Sequence, residues 1–154
     1  MKIMGHHRSH HPFLFFSSSE KKKILHAIRE AECETTGEIR VHVDRGGRKE
    51  FMARAHEIFK KTGMDRCRER NGILIFFSLT QRKFVILGDQ GIHAKVPEGF
   101  WSAIALRIQQ DFQRDHFADG IIHAIHEVGA KLKTYYPAAG QNSNELPDEI
   151  SFSL

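Results

Sequence analysis

The stretch GILIFFSLTQRKFVIL, residues 72–87, decides the fold. Residues 72–79 form a nearly unbroken run of aliphatic and aromatic side chains, which is typical of a strand covered on both faces. A second apolar run, residues 83–87, follows after only Thr80, Gln81 and Arg82, and this spacing favours an antiparallel hairpin. We therefore predict a hairpin whose first strand lies at the centre of a sheet.

Helical and strand patterns continue on both sides of this hairpin. Upstream, helical spacing of apolar residues predicts helices over residues 17–37 and 51–63, while strict alternation over residues 38–43 predicts a half-exposed strand. Downstream, apolar stripes predict helices over residues 97–112 and 117–136. The predicted order of elements is therefore α-β-α-β-β-α-α, an α/β protein.

Length and composition limit the class of protein. The chain has 154 residues, of which 40% are hydrophobic and 27% charged, and this suits one compact soluble domain rather than a disordered or collagenous chain. The longest apolar run, residues 73–77, is far shorter than the roughly 20 residues of a membrane-spanning helix. A formal net charge of +4 is modest, and no aromatic RNA-binding signature is present, so nucleic acid is not the expected partner.

Charge and apolar patterning divide the chain into three parts. We predict a flexible His-rich arm over residues 1–16, a single domain over residues 17–137 and an acidic tail over residues 138–154. The tail carries apolar Leu146 and Ile150 beside three acidic residues, Glu145, Asp148 and Glu149. We expect it to dock on the domain with the two apolar side chains buried and the three acids facing basic residues, the alternative being a disordered tail. No secretory signal pattern precedes the domain, and a cytoplasmic location is the expectation.

Common catalytic motifs are missing from the sequence. It contains no cysteine-phosphatase loop, Walker A loop, G-x-G-x-x-G, H-E-x-x-H or G-x-S-x-G pattern. Asp119 and His123 stand four residues apart on the last predicted helix and could share a metal ion. Because no third ligand converges on them, we expect solvated side chains there. Catalytic residues therefore stay unassigned.

The predicted topology brings several polar residues to one edge of the sheet. If the first two strands are parallel and the third returns antiparallel, Thr36, Glu38, Arg70, Asn71 and Asp89 share that edge. Carboxylate, amide and hydroxyl oxygens are the ligands that calcium prefers. Glu38 and Asp89 are therefore candidate metal ligands, and Arg70 and Asn71 candidate substrate-binding residues that would hold a phosphate or carboxylate.

A purely structural interpretation of the same residues stays open. Glu38 and Arg70 could form an ordinary salt bridge, and Asn71 could cap a turn. Asp89 could accept hydrogen bonds from backbone amides in the turn that follows it. The sequence alone does not decide between the two interpretations.

Short strings along the chain resemble a known family. They include TGEIRV at 36–41, RNGILI at 70–75, ILGDQGI at 86–92 and NELPD at 144–148. Together they resemble the TPM-domain family, and among its members the short bacterial proteins without a membrane anchor, over residues 25–150. The resemblance implies a three-layer α/β/α sandwich around a mixed sheet. It also implies calcium binding, which is associated with some members, and an acid phosphatase activity, which has been proposed for plant thylakoid-lumen relatives together with a role in photosystem repair.

Pattern and resemblance lead to one functional expectation and one alternative. We expect a soluble binding or accessory module that takes calcium at the edge carrying Glu38 and Asp89, its partner being a protein or a phosphate-bearing small molecule. The alternative is a metal-assisted phosphomonoesterase in which Asp89 and Glu38 hold the ion and Arg70 clamps the phosphate.

Overall fold

The computed structural model describes residues 8–9, 11–138 and 150–154. Within these ranges the chain forms five α-helices and four β-strands. In chain order these are α1 (Ser18–Glu32), β1 (Glu38–Asp44), α2 (Phe51–Lys61), β2 (Gly72–Ser78), β3 (Lys83–Gly88), α3 (Gln90–Lys95), α4 (Phe100–Gln113), α5 (Phe117–Tyr135) and β4 (Ile150–Ser153). None of the helices in the described ranges is long and apolar enough to cross a membrane.

The four strands form one mixed sheet in the order β3-β2-β1-β4. β2 pairs with β1 in parallel and with β3 antiparallel, and all seven of its residues are buried. This confirms the predicted hairpin and the central position of its first strand. Unbroken apolarity follows from that position, because a strand covered on both faces has no side that faces water.

Helices cover both faces of the sheet and give the predicted three-layer α/β/α sandwich. On the first face α1, α4 and α5 pack against the alternate apolar residues of β1 and β2, such as Val41 and Ile75. On the second face α2 packs Phe51, Ala55 and Ile58 against the β2 side chains that point the other way. The sheet therefore separates a large apolar core from a smaller one.

The prediction that β1 is half exposed is wrong, since all seven of its residues are buried. Its polar residues Glu38, Arg40, His42 and Asp44 point to the second face and are only 3–5% exposed. Alternation of polar and apolar residues is normally the mark of a solvent-facing strand. Here the polar face is covered, because Ser151 and Ser153 of β4, which pairs with the outer edge of β1, contact His42. Arg54 from α2 reaches Asp44 on the same face.

Local signals explain where the helices begin. Ser17 caps α1, since its hydroxyl accepts a hydrogen bond from the amide of Glu20 while the Glu20 carboxylate accepts one from the amide of Ser17. The sequence prediction missed the short α3, which begins directly after the β3 strand where Asp89 caps its first amide. It also missed β4, whose four residues at 150–153 are too few to show a clear strand period.

The ends of the domain differ in part from the sequence prediction. Phe15 and Phe16 are 6% and 1% exposed and belong to the large core, so packing begins before residue 17. At the other end Ile150 is partly buried as the first residue of β4. The predicted contacts of Leu146 and of the three acidic tail residues lie outside the described residues, as do most histidines of the arm.

Candidate functional site

The strand arrangement brings the predicted polar residues to one edge, which we call the amino edge. It is the edge where β1 and β2 begin and β3 ends, since Glu38 pairs with Gly72 and Ile73 pairs with Gly88 in the sheet. The amide of Asp89 donates to the carbonyl of Gly72 at 2.9 Å and ties the end of β3 to the start of β2. The topological part of the site prediction therefore agrees with the structure.

Arg70 and Asp89 form a direct ion pair at the amino edge. The guanidinium donates from Nε to Oδ2 at 2.7 Å and from Nη2 to Oδ1 at 3.1 Å, a bidentate pair. The Asp89 side chain is 6% exposed and that of Arg70 is 46% exposed. The hydrogen bond to Asp89 raises the pKa of the Arg70 guanidinium above its ordinary value. The structural interpretation expected Glu38 as the partner of Arg70, whereas the structure pairs Arg70 with Asp89.

The backbone beside Arg70 locks α3 against the start of β2. Arg70 has φ +53°, and its carbonyl accepts from the amide of Gly91 at 2.8 Å. A Cβ atom at Gly91 would lie 2.1 Å from the carbonyl oxygen of Glu69, so only glycine fits this approach. Asp89 also accepts from the amide of Gln90 at 2.8 Å, as the structural interpretation expected. The amino edge is therefore held rigidly by its own backbone.

Asn71 is the most unusual polar group at the amino edge. It is 1% exposed, and its Nδ2 donates to Thr36 Oγ1 at 3.2 Å and lies 3.5 Å from Glu69 Oε2. The Thr36 hydroxyl in turn donates to Glu69 Oε2 at 3.1 Å. Asn71 Oδ1 is buried and has no hydrogen-bond partner. Because a buried unpaired carbonyl oxygen is costly, this atom is the one that a ligand at the amino edge would satisfy.

The remaining candidate residues differ in how well they fit a metal ion. Glu38 lies at the start of β1 and is 3% exposed. His123 Nδ1 lies 3.4 Å from Asp111 Oδ2, whereas the sequence pattern had paired it with Asp119. Across the described ranges no group of three or more His, Cys, Asp or Glu side chains is arranged to hold a metal ion. A cation at the amino edge would therefore have to use amide, hydroxyl or backbone oxygens as well as carboxylates.

Sequence reasoning missed a buried polar cluster on the second face of β1 and β4. His42 Nδ1 lies 2.7 Å from the Ser151 hydroxyl and its Nε2 lies 2.8 Å from the Ser153 hydroxyl. Ser153 also hydrogen-bonds the Asp44 carboxylate, which accepts from Arg54 Nη2 at 3.0 Å. Burial lowers the pKa of His42 to about 4, with a further lowering by Arg54 and Arg40 and an opposing effect of Asp44. The alternating pattern of β1 was the only sequence signal, and it indicated exposure instead.

Comparison with known proteins identifies relatives of this chain. The family model of the TPM domain matches residues 14–131. The NMR structure of the BA42 protein from the psychrophilic bacterium Bizionia argentinensis is similar, with 36% identity and a TM-score of 0.82, over 90% of this chain and 95% of that one. No curated protein matches the sequence.

Two further solved structures share the fold at low identity. The N-terminal domain of a protein from P. gingivalis has 16% identity and a TM-score of 0.61, over 82% of this chain and 83% of that one. The N-terminal domain of the cg2496 protein from Corynebacterium glutamicum has 15% identity and a TM-score of 0.58, over 90% of this chain and 80% of that one. At these identities the likeness shows the fold alone.

Proposed function

The chain belongs to the TPM domain family, and from this premise we propose that it acts as a binding or accessory module that takes a divalent cation at the amino edge. The observation that carries the proposal is Asn71 Oδ1, a buried oxygen without a hydrogen-bond partner. A bound cation would satisfy this oxygen. Binding would thereby remove the cost of leaving it unpaired.

The oxygen donors around Asn71 favour calcium over softer metals. Thr36 supplies a hydroxyl and Glu69 a carboxylate beside the Asn71 amide group, where both contact Nδ2, while Glu38 and Asp89 add carboxylates along the same edge. Calcium takes six to eight oxygen ligands in a flexible arrangement, whereas zinc prefers nitrogen and sulfur. The hard oxygen set therefore supports calcium as the ion.

Arg70 opposes the binding of a cation at this edge. Its guanidinium occupies both oxygens of Asp89 and places a positive charge beside any incoming ion. Calcium and Arg70 would therefore compete for Asp89. The proposal therefore predicts opposite effects for two substitutions. Removing the Arg70 side chain strengthens calcium binding, and removing the charge of Asp89 weakens it.

Calcium titration followed by backbone amide NMR shifts tests the proposal. We expect shifts confined to the amino edge, tighter binding in Arg70→Gln and weaker binding in Asp89→Asn. Arg114→Gln and Asp115→Asn make the same charge changes at exposed positions after α4 and should bind as the unmodified protein does. No shifts at millimolar calcium, or shifts that respond equally to the control variants, would rule out the site.

The phosphomonoesterase alternative rests on the half-exposed Arg70. A guanidinium that is 46% exposed beside a buried carboxylate can meet a phosphate from solvent. Turnover of p-nitrophenyl phosphate in the presence of calcium, compared with the Asp89→Ala variant, separates the two functions. Turnover that is lost in the variant would establish an enzyme and defeat the accessory-module proposal.

A further inference from the structure

A second site lies at the opposite edge of the sheet, which we call the carboxyl edge. There the loop from β1 to α2, the turn from β2 to β3 and Leu154 line an open pocket of about 510 Å³. Ligands of open α/β sheets bind in crevices at the carboxyl ends of the strands, and pockets of this volume suit small organic molecules. The position and the size of the pocket therefore both indicate a ligand site.

Basic side chains dominate the lining of this pocket. Four cationic residues line it, Arg45, Arg48, Lys49 and Arg54, against the single side-chain carboxylate of Asp44. Asp44 is neutralised by Arg54, whose Nη2 donates to it at 3.0 Å. Lys49 is also paired, since its Nζ donates to Glu57 Oε2 at 2.7 Å. Within the part of the chain that the structure describes, the guanidinium groups of Arg45 and Arg48 have no hydrogen-bond or ion-pair partner. The uncompensated positive charge of the pocket thus comes from Arg45 and Arg48, and it favours an anion.

The backbone at the start of the loop, at Arg45 and Gly46, is held in place before any ligand binds. The amide of Arg45 donates to the carbonyl of Ser153 at 2.8 Å, and the carbonyl of Arg45 accepts from the amide of Thr80 at 2.8 Å. Gly46 follows with φ +83°, and a Cβ atom there would lie 2.0 Å from the Ser78 hydroxyl. Ordering of this segment therefore costs little on binding, which raises the affinity of a ligand.

Arg54 is fixed at the inner wall of the pocket. Its side chain is 19% exposed and is bound by Asp44 and, through Nη2 at 3.2 Å, by the Ser153 hydroxyl. Ser153 is fixed in turn by His42. One guanidinium of the pocket is thus rigid and partly desolvated, while Arg45 and Arg48, which also line the pocket, are exposed.

We propose that the carboxyl-edge pocket binds a small organic molecule bearing phosphate groups. Guanidinium groups bind phosphate through paired hydrogen bonds, and several of them around one pocket match a ligand with more than one negative charge. The volume of the pocket leaves room for an organic part beside the phosphates. This site is separate from the amino edge, so the outcome of the calcium experiments does not affect it.

ADP and inorganic pyrophosphate, added to the labelled protein at constant ionic strength, are the probes that test this proposal. We expect amide shifts over residues 44–54 and 78–82, and affinity weaker by about tenfold in Arg48→Gln because one charged hydrogen-bonded contact is lost. Arg114→Gln, the matched exposed control, should bind like the unmodified protein. Unchanged amide spectra away from the pocket show that each variant is folded.

Other outcomes of the same experiment would overturn the proposal. If citrate binds as tightly as ADP, the pocket attracts anions in general and does not recognise phosphate. If Arg48→Gln and Arg114→Gln weaken ADP binding equally, the effect reflects the overall charge of the protein and not binding in this pocket. Tighter binding of a single-stranded oligonucleotide than of ADP, with a steep salt dependence, would make the surface a nucleic-acid site. Absence of shifts at millimolar ADP and pyrophosphate would refute a site altogether.

Discussion

Acidification should weaken the protein through His42, because its neutral imidazole is buried between Ser151 and Ser153. Burial lowers the pKa of His42 to about 4 in the folded protein, whereas an unfolded histidine has a pKa of about 6.5. The unfolded chain therefore binds more protons than the folded one between these two values. Stability contributed by the neutral imidazole is complete above about pH 6.5 and is lost as the pH falls towards 4.

The size of the effect follows from the two pKa values. Their difference corresponds to roughly 3 kcal/mol in full, of which about 2 kcal/mol is lost between pH 7 and pH 5. The folded structure also lowers the pKa values of three carboxyl groups, those of Glu20, Glu50 and Glu57, from the unfolded value of 4.5. Their contributions to stability are lost as the pH falls below about 4.5. The stability lost between pH 7 and pH 5 therefore comes from His42 and not from these acids.

Urea unfolding at pH 7 and at pH 5 measures this loss. We expect the free energy of unfolding to fall by about 2 kcal/mol more in the unmodified protein than in His42→Gln, which has no imidazole to protonate. His126→Gln removes an exposed histidine of α5 and should behave like the unmodified protein. An equal fall in His42→Gln and in the unmodified protein, or an NMR titration of His42 centred near pH 6.5, would refute the reasoning.

Two further predictions concern the stability of the sheet. Ile75→Asp should leave the protein unfolded by circular dichroism, because Ile75 is fully buried in β2 and an unpaired buried carboxylate costs several kcal/mol. The control variant Ile75→Val should lower the free energy of unfolding by only about 0.5–1.5 kcal/mol. A folded, soluble Ile75→Asp variant would contradict the central position of β2. Truncation after Pro137 removes β4 and should lower the melting temperature and speed hydrogen exchange in β1, whereas deletion of Leu154 alone should not. Unchanged stability and exchange in the truncated chain would leave the predicted docking of the tail without support.

The sequence predicted the centre of the fold well because local patterns determined it. The hairpin was predicted from one short stretch, the apolar run at 72–79 followed by the turn of Thr80, Gln81 and Arg82. The structure pairs these two strands antiparallel, as predicted. The neighbouring positions of Arg70 and Asp89 followed from the same strand directions. Features that depend only on strand order could therefore be predicted without coordinates.

Features that depend on distant contacts could not be predicted in this way. Alternation in β1 indicated exposure because nothing in the strand itself shows that residues of β4 and α2 cover its polar face. Arg45, Arg48 and Arg54 look like an ordinary basic loop and helix start, and only the folded chain places them around one pocket. The unpaired oxygen of Asn71 is likewise a property of its packing, which no residue pattern reports.

The pairing of β4 with β1 also has a consequence for the order in which the sheet is assembled. His42 and Ser151 are 109 positions apart, so this pairing requires the closure of a very long loop, while the hairpin of β2 and β3 closes a short one. The hairpin is therefore the early structure and β4 the late one. Until β4 pairs with it, the outer edge of β1 has unpaired backbone amides and carbonyls that can pair with strands of other chains. The interval between the two events is the period in which this protein is most exposed to aggregation.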